Sequence, residues 1–320
     1  LRQFQLRVGN FEAISTMVKR DYATVLPDAA MEDDCRQLIR LAVREDLDRS
    51  LDWTTVRLLQ PETRGRCDVV SRQPGICAGL VTAAWVVDEM DADLELTPHI
   101  ADGDRLVVGE PILTVRGNGR DLLTCERLIL NLMCRLSGVA TLTSRYVQQI
   151  AGTGARLYDT RKTTPGWRRL EKYAVNRGGG HNHRTGLFDG FLIKDNHLAL
   201  GNVSPRDAVE QARQWAGGVA ELARVPEIVE VEVDSLQQLA NVLPSGPDIV
   251  LVDNFSLSDL RLAVEMRNEI APAVELEASG NVKIDTIREI AMSGVERISC
   301  GALTHQAGWL DLAMDWSGDL

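Results

Sequence analysis

From residue 154 onward the chain repeats one pattern six times, a short apolar run that reads as a strand followed by a turn or a helical stretch. The candidate strands cover 155–160, 191–195, 227–234, 248–253, 274–279 and 297–301, with helical patterns such as 257–270 and 285–293 between the later ones. Such alternation calls for a parallel sheet, because each new strand needs a crossover to run in the same direction. The placement of polar residues then chooses between an open sheet and a barrel. Arg161, Lys162, Lys194, Glu232, Asp253, Ser279 and Gly301 all fall at or near the C-terminal end of a strand. A barrel converges those ends on one mouth, where such folds carry their chemistry. An open sheet would spread them along an edge and would want a Gly-rich dinucleotide turn after its first strand, which is absent here. The pattern predicts an incomplete parallel α/β barrel.

Upstream the text differs. Residues 1–30 carry no strong pattern, and Pro27 marks a break before a helix expected over 33–48. Between 67 and 115, short alternating segments are separated by turn signals such as Pro74-Gly75 and Asp102-Gly103-Asp104. These predict a small antiparallel sheet carrying one helix over 80–90. Two long helices, 120–137 and 139–151, are expected to meet at Gly138. The six cysteines form no CxxC pair and have no histidine at zinc-ligand spacing, so they read as reduced thiols of a cytoplasmic protein. The longest apolar run, 76–87, is about half the ~20 residues that span a bilayer, and no signal-like segment opens the sequence. No membrane partner is expected.

Charge locates the chemistry. The chain has a formal net charge of −11, yet residues 156–195 hold nine Arg or Lys against four acids. Concentrating cations in one stretch of an acidic protein points to a pocket for a small polyanion and away from a nucleic-acid surface, which would be broadly basic. Arg161-Lys162 precedes the turn Thr163-Thr164-Pro165-Gly166 and pairs a planar fork with a compact point charge. Gly178-Gly179-Gly180 before His181-Asn182-His183-Arg184 suggests close backbone approach to a ligand. Zinc ligation by His181 and His183 would lack an accompanying acid or cysteine at suitable spacing. Lys194, inside an apolar strand, suits either an anion ligand or a Schiff-base nucleophile. Glu230, Glu232 and Asp234 share one strand face, and with Asp253 they suit ribose hydroxyls or a substrate-borne Mg²⁺. Ser279-Gly280-Asn281 and Cys300-Gly301-Ala302 are Gly turns after the last two strands, the usual place for a phosphate cradle.

Taken in order, Cys125-Glu126-Arg127, Leu136-Ser137-Gly138-Val139-Ala140-Thr141, the Asp159–Gly166 run, Gly178 to Arg184, and Lys194-Asp195-Asn196-His197 form a specific signature. Val252-Asp253-Asn254, Glu277-Ala278-Ser279-Gly280 and Gly301-Ala302-Leu303-Thr304-His305 extend it. The block 33–305 resembles the quinolinate phosphoribosyltransferase family, also called the carboxylating nicotinate-nucleotide pyrophosphorylases. The resemblance implies that quinolinate and phosphoribosyl pyrophosphate become nicotinate mononucleotide, pyrophosphate and CO₂, a step of NAD biosynthesis. It implies an α/β sandwich domain (31–137) after an N-terminal extension (1–30), then a six-stranded barrel domain (138–306), with 307–320 returning to the first domain. It implies a homodimer, with higher assembly open, in which Arg127 reaches the partner's active site. Arg161, His183, Arg184 and Lys194 would hold the quinolinate carboxylates. Lys162, with Lys194 and His305, would face pyrophosphate. Glu232 and Asp253 would take the ribose hydroxyls and the Mg²⁺ shell, so that Lys162, Lys194, Glu232 and Asp253 form the catalytic set. Ser279, Gly280, Asn281, Gly301 and Ala302 would cradle the 5-phosphate, with Thr160 and Cys300 in the same lining.

Overall fold

A computed structural model describes residues 21–218 and 226–316. The carboxylate of Asp28 caps α1 (Ala29–Leu47) by accepting from Met31 N at 2.9 Å, and Asp52 caps α2 (Trp53–Leu58) in the same way. The chain continues through β1 (Arg64–Ser71), β2 (Gly75–Ile76), α3 (Leu80–Glu89), β3 (Leu94–Pro98), β4 (Arg105–Leu106) and β5 (Pro111–Asn118). Asn118 then opens α4 (Gly119–Gln149), with its side chain accepting from the N–H groups of Arg120 and Asp121. The first sheet is antiparallel, in the order β12-β1-β5-β3. Its outermost member β12 (Leu312–Trp316) comes from the far end of the described chain.

The two helices expected on either side of Gly138 are one 31-residue helix. Gly138 does not break it, because a helix tolerates glycine at a cost of about 1 kcal/mol. The glycine answers a tertiary demand. A Cβ there would lie 2.0 Å from the Gly308 carbonyl oxygen, so only glycine lets the chain leading into β12 cross α4 this closely. Leu310 N donates to Cys134 O at 2.9 Å beside that crossing.

After α4 come β6 (Arg156–Tyr158), α5 (Arg168–Arg177), β7 (Phe191–Ile193), α6 (Asp195–Gly201), α7 (Pro205–Gly218), β8 (Val229–Val233), α8 (Leu236–Val242), β9 (Ile249–Asp253), α9 (Leu257–Ile270), β10 (Glu275–Ser279), α10 (Ile287–Ala291), β11 (Arg297–Ser299) and α11 (Ala302–His305). All six expected strands are present and all their pairings are parallel, in the order β6-β11-β10-β9-β8-β7. The β6 and β7 edges do not pair with each other, which leaves a seam. On the β6 side His181 extends the ladder, donating to Leu157 O at 2.7 Å and accepting from Asp159 N at 3.1 Å. The strands bury Val229, Val231, Val233, Val250, Val252, Leu276 and Ile298 against the helices. All six cysteines are buried free thiols. No described helix is long and apolar enough to cross a membrane.

Candidate active site

Two adjoining cavities open at the C-terminal ends of the barrel strands. The first, about 470 Å³, is lined by Thr160, Arg161, Lys162, His183, Arg184, Lys194, Glu232, Asp253, Glu277 and Ser279, with Leu192 and Leu251 as apolar wall. The second, about 520 Å³, is lined by Ser279, Gly280, Asn281, Cys300, Gly301, Ala302 and His305, among others. Thr160, Lys162, Ser279 and Ser299 belong to both, so Lys162 stands at the junction. Strand alternation explains the convergence. Glu230 and Glu232 on β8, and Glu277 and Ser279 on β10, are spaced by two and point to the barrel interior.

The first cavity is built to receive negative charge. The Nε atoms of Arg161 and Arg184 are buried without a hydrogen-bond partner. Burial, and then the neighbouring cation Arg161, push the Arg184 guanidinium below the usual arginine value. Two desolvated like charges side by side are unfavourable until an anion joins them. His183 is buried and faces Glu230 Oε2 at 3.1 Å and Glu277 Oε1 at 3.4 Å. Burial alone would lower its pKa, but the two carboxylates outweigh it and push it up to about 10, so His183 is an imidazolium. Glu277 is correspondingly held down to about 2: burial opposes its charge, while His183 and Arg297 (Nε at 2.8 Å) favour it. His183, Glu230 and Glu277 are close enough together to hold a metal ion, yet Arg297 already grips Glu277 and Tyr22 grips Glu230 at 2.7 Å. The trio holds a proton instead.

The segment bearing His183 and Arg184 is fixed from behind by a buried ion pair. Asp159 and Lys172 are both fully buried and paired with each other. Asp159 also accepts from Asn182 Nδ2 at 2.7 Å and His183 N at 2.8 Å, and Lys172 donates to His183 O at 2.8 Å. At the mouth, Lys194 Nζ is ion-paired with Glu232. Asp253 is half-buried and accepts from Asn254 Nδ2 at 2.7 Å.

The second cavity depends on two glycines. Gly280 has φ +92, and a Cβ there would lie 2.2 Å from Asn254 Oδ1. At Gly301 a Cβ would crowd Lys162 Cδ at 3.0 Å and His305 Nε2 at 3.2 Å, so its absence lets those two side chains converge. Thr304 Oγ1 donates to Lys162 O at 2.7 Å and anchors that loop.

Several residues of the motifs stand outside both cavities, among them Arg127, which is expected to serve a partner's site. Arg127 is exposed on α4 and lines neither cavity. His181 lies outside both, pairing with β6. Gly178 and Gly180 serve packing and not a ligand, because added Cβ atoms would meet Ala140 O at 2.3 Å and Val175 Cγ1 at 2.8 Å.

Models of the quinolinate phosphoribosyl transferase N-terminal and C-terminal domains match residues 52–137 and 139–315. The chain belongs to the quinolinate phosphoribosyltransferase family. A carboxylating nicotinate-nucleotide pyrophosphorylase of Mycobacterium leprae is 43% identical over 287 residues, covering 88% of this chain and 97% of that relative. A decarboxylating quinolinate phosphoribosyltransferase of Nicotiana glauca is 35% identical over 319 residues, covering 96% and 89%. The solved structure of a nicotinate-nucleotide pyrophosphorylase from Francisella tularensis superposes with a TM-score of 0.82 at 35% identity, covering 93% of this chain and 99% of that one. In this member of the family, the sequence gives no site role to Glu277, Lys172, Asn182 or Tyr22, all of which surround the His183–Arg184 segment. For Glu277 a signal exists: Glu275, Glu277 and Ser279 alternate along one strand, which places an acid on the interior face.

Proposed function

We propose that the two cavities bind quinolinate and phosphoribosyl pyrophosphate side by side, and that the chain joins them with release of pyrophosphate and CO₂ to give nicotinate mononucleotide. The observation that carries this reading is the pair of partnerless arginine Nε atoms next to the His183 imidazolium, adjoining a glycine-lined cavity through Lys162. Arg161, Arg184, His183 and Lys194 match a small dicarboxylate, offering forks and point charges in a desolvated site. Ser279, Gly280, Asn281, Gly301 and Ala302, with Thr160 and Cys300 beside them, suit a phosphate monoester. Lys162 and His305 meet the pyrophosphate.

The chemistry then needs little from side-chain acids and bases. The C1–O bond to pyrophosphate breaks with oxocarbenium character while Lys162 and Arg161 stabilise the departing negative charge. The pyridine nitrogen, held in line by the carboxylate clamps, captures C1. Its positive charge makes the ring an electron sink, the adjacent carboxylate leaves as CO₂, and a proton takes its place on carbon. Glu232 and Asp253 present hard oxygens from neighbouring strands, too few for an all-protein cage, which suits a Mg²⁺ arriving with the phosphates and keeping waters. When bound, that ion would neutralise phosphate charge. Arg127, exposed and remote from its own cavities, fits delivery to the active site of a second copy in a homodimer.

The deciding experiment supplies purified protein, Mg²⁺ and phosphoribosyl pyrophosphate with quinolinate labelled at the 2-carboxylate. Labelled CO₂ released in step with nicotinate mononucleotide is expected. Turnover of nicotinate with none of quinolinate would sink the proposal.

A further inference from the structure

His183, which lines the first cavity, is backed by a segment outside the barrel. Residues 21–25, which show no sequence pattern, occupy the seam between the 181–184 segment and β7. Val25 N donates to Asn182 Oδ1 at 2.8 Å on one side. On the other, a Cβ on Gly190 would fall 2.6 Å from Tyr22 Cε1, so a glycine makes room for the ring. Asp21 anchors the entry, accepting from Arg297 Nη1 at 2.9 Å, Tyr158 Oη at 2.6 Å and Arg156 Nη1 at 3.1 Å. Tyr22, 8% exposed, stacks on the His183 ring with centroids 4.6 Å apart and an interplanar angle of 28°. Its hydroxyl donates to Glu230 Oε2 at 2.7 Å, the oxygen that also faces His183 Nε2.

We propose that Tyr22 is a positioning residue for quinolinate binding: it fixes the His183 ring from behind and fills the seam that the barrel strands leave open beside it. Without the ring, His183 could tilt into the vacated volume and water could reach Glu230 and Glu277 from the seam. Both changes weaken the charge that His183 presents to a carboxylate. Tyr22 lines neither cavity itself; it acts through His183, which lines the first cavity and not the second. The effect is therefore specific to one substrate, which a plain packing role would not produce.

This inference rests on the assignment of the first cavity to quinolinate, and the experiment separates the two. Steady-state kinetics are measured with each substrate varied, for wild type, Tyr22→Ala, Tyr22→Phe and Arg184→Ala. Tyr22→Ala should raise the quinolinate KM about tenfold, the scale of losing the charged hydrogen bond from a misplaced His183 to a carboxylate, and leave the phosphoribosyl pyrophosphate KM within about twofold. Tyr22→Phe keeps the ring on His183 and should recover most of the loss; it also serves if the alanine variant does not fold. Lowered thermal stability with both KM values unchanged, or both raised alike, would overturn the proposal. If Arg184→Ala raises the quinolinate KM and neither Tyr22 variant does, this inference alone fails. If Arg184→Ala leaves it unchanged, the cavity assignment fails first.

Discussion

The Asp159–Lys172 pair offers the sharpest test of how this site is held together. Both side chains have zero exposure, and burial disfavours both charges, raising the Asp159 carboxyl and lowering the Lys172 ammonium. Their mutual attraction offsets that cost only while both are present. Asp159→Asn removes the negative charge, and whichever oxygen its N–H₂ replaces it then faces a donor: Asn182 Nδ2 at one, His183 N and Lys172 Nζ at the other. Breaking a buried pair from one side costs about 3–5 kcal/mol. A newly unpaired donor costs about 1–3 kcal/mol and belongs to the same network, so the two do not simply add. A loss of about 4 kcal/mol is expected, equivalent to roughly 6 °C in thermal midpoint for a chain of this size. Lys172→Met should cost a similar amount, while Asp159→Asn with Lys172→Met should recover at least about 2 kcal/mol of the summed loss, because no charge then stays buried. Urea unfolding of all four proteins at one protein concentration gives the coupling energy directly. A coupling below about 0.5 kcal/mol, or a single-variant loss under about 1 kcal/mol, would refute the claim that this ion pair holds the His183–Arg184 segment.

Three further outcomes follow from the geometry. Gly138→Ala should destabilise by about 2–3 kcal/mol through the clash with Gly308 O, whereas Gly154→Ala, with open space around it, should be near neutral; equal urea midpoints for the two would contradict the close-crossing argument. Because His183's folded pKa, about 10, lies above the ordinary 6.5, its stabilisation is complete below about pH 6.5 and is lost as pH rises through about 10. The gap in unfolding free energy between wild type and His183→Gln should therefore shrink steadily from pH 6.5 to 10, and a gap independent of pH would show that the imidazole is not held charged. Arg127→Ala and Arg184→Ala, each strongly impaired alone at a fixed low quinolinate concentration, should regain roughly a quarter of wild-type activity there when dissociated and reassembled together, since mixed dimers carry one intact site; no recovery would place Arg127 outside the partner's chemistry.

The barrel was legible because its signals are local. Each strand is an apolar run, and the residues that end it, from Arg161 to Gly301, declare the mouth by position alone. The same locality explains the misreadings. Gly138 looks like a helix break to any rule that sees only its neighbours; its purpose lies 170 residues away, at Gly308. The glycines at 178 and 180 resemble a ligand-binding loop for the same reason. Tyr22 stands in a stretch without periodicity, and nothing nearby announces a partner such as Glu230, 208 positions later. The buried acid Glu277 lies between: its alternation was readable, but its use depended on Arg297 standing opposite it in the β10–β11 register.

The pairing of β12 with β1 has a consequence for how the protein is made. Five residues of β1, Cys67 to Ser71, find their register partners only at Leu312 to Trp316. During synthesis the whole barrel must emerge before that neighbour exists. Until then β1 presents a row of unpaired backbone groups, the kind of template on which a second nascent chain can add a strand. The order of translation thus opens an interval of aggregation risk, and the last clasp of the fold ends it.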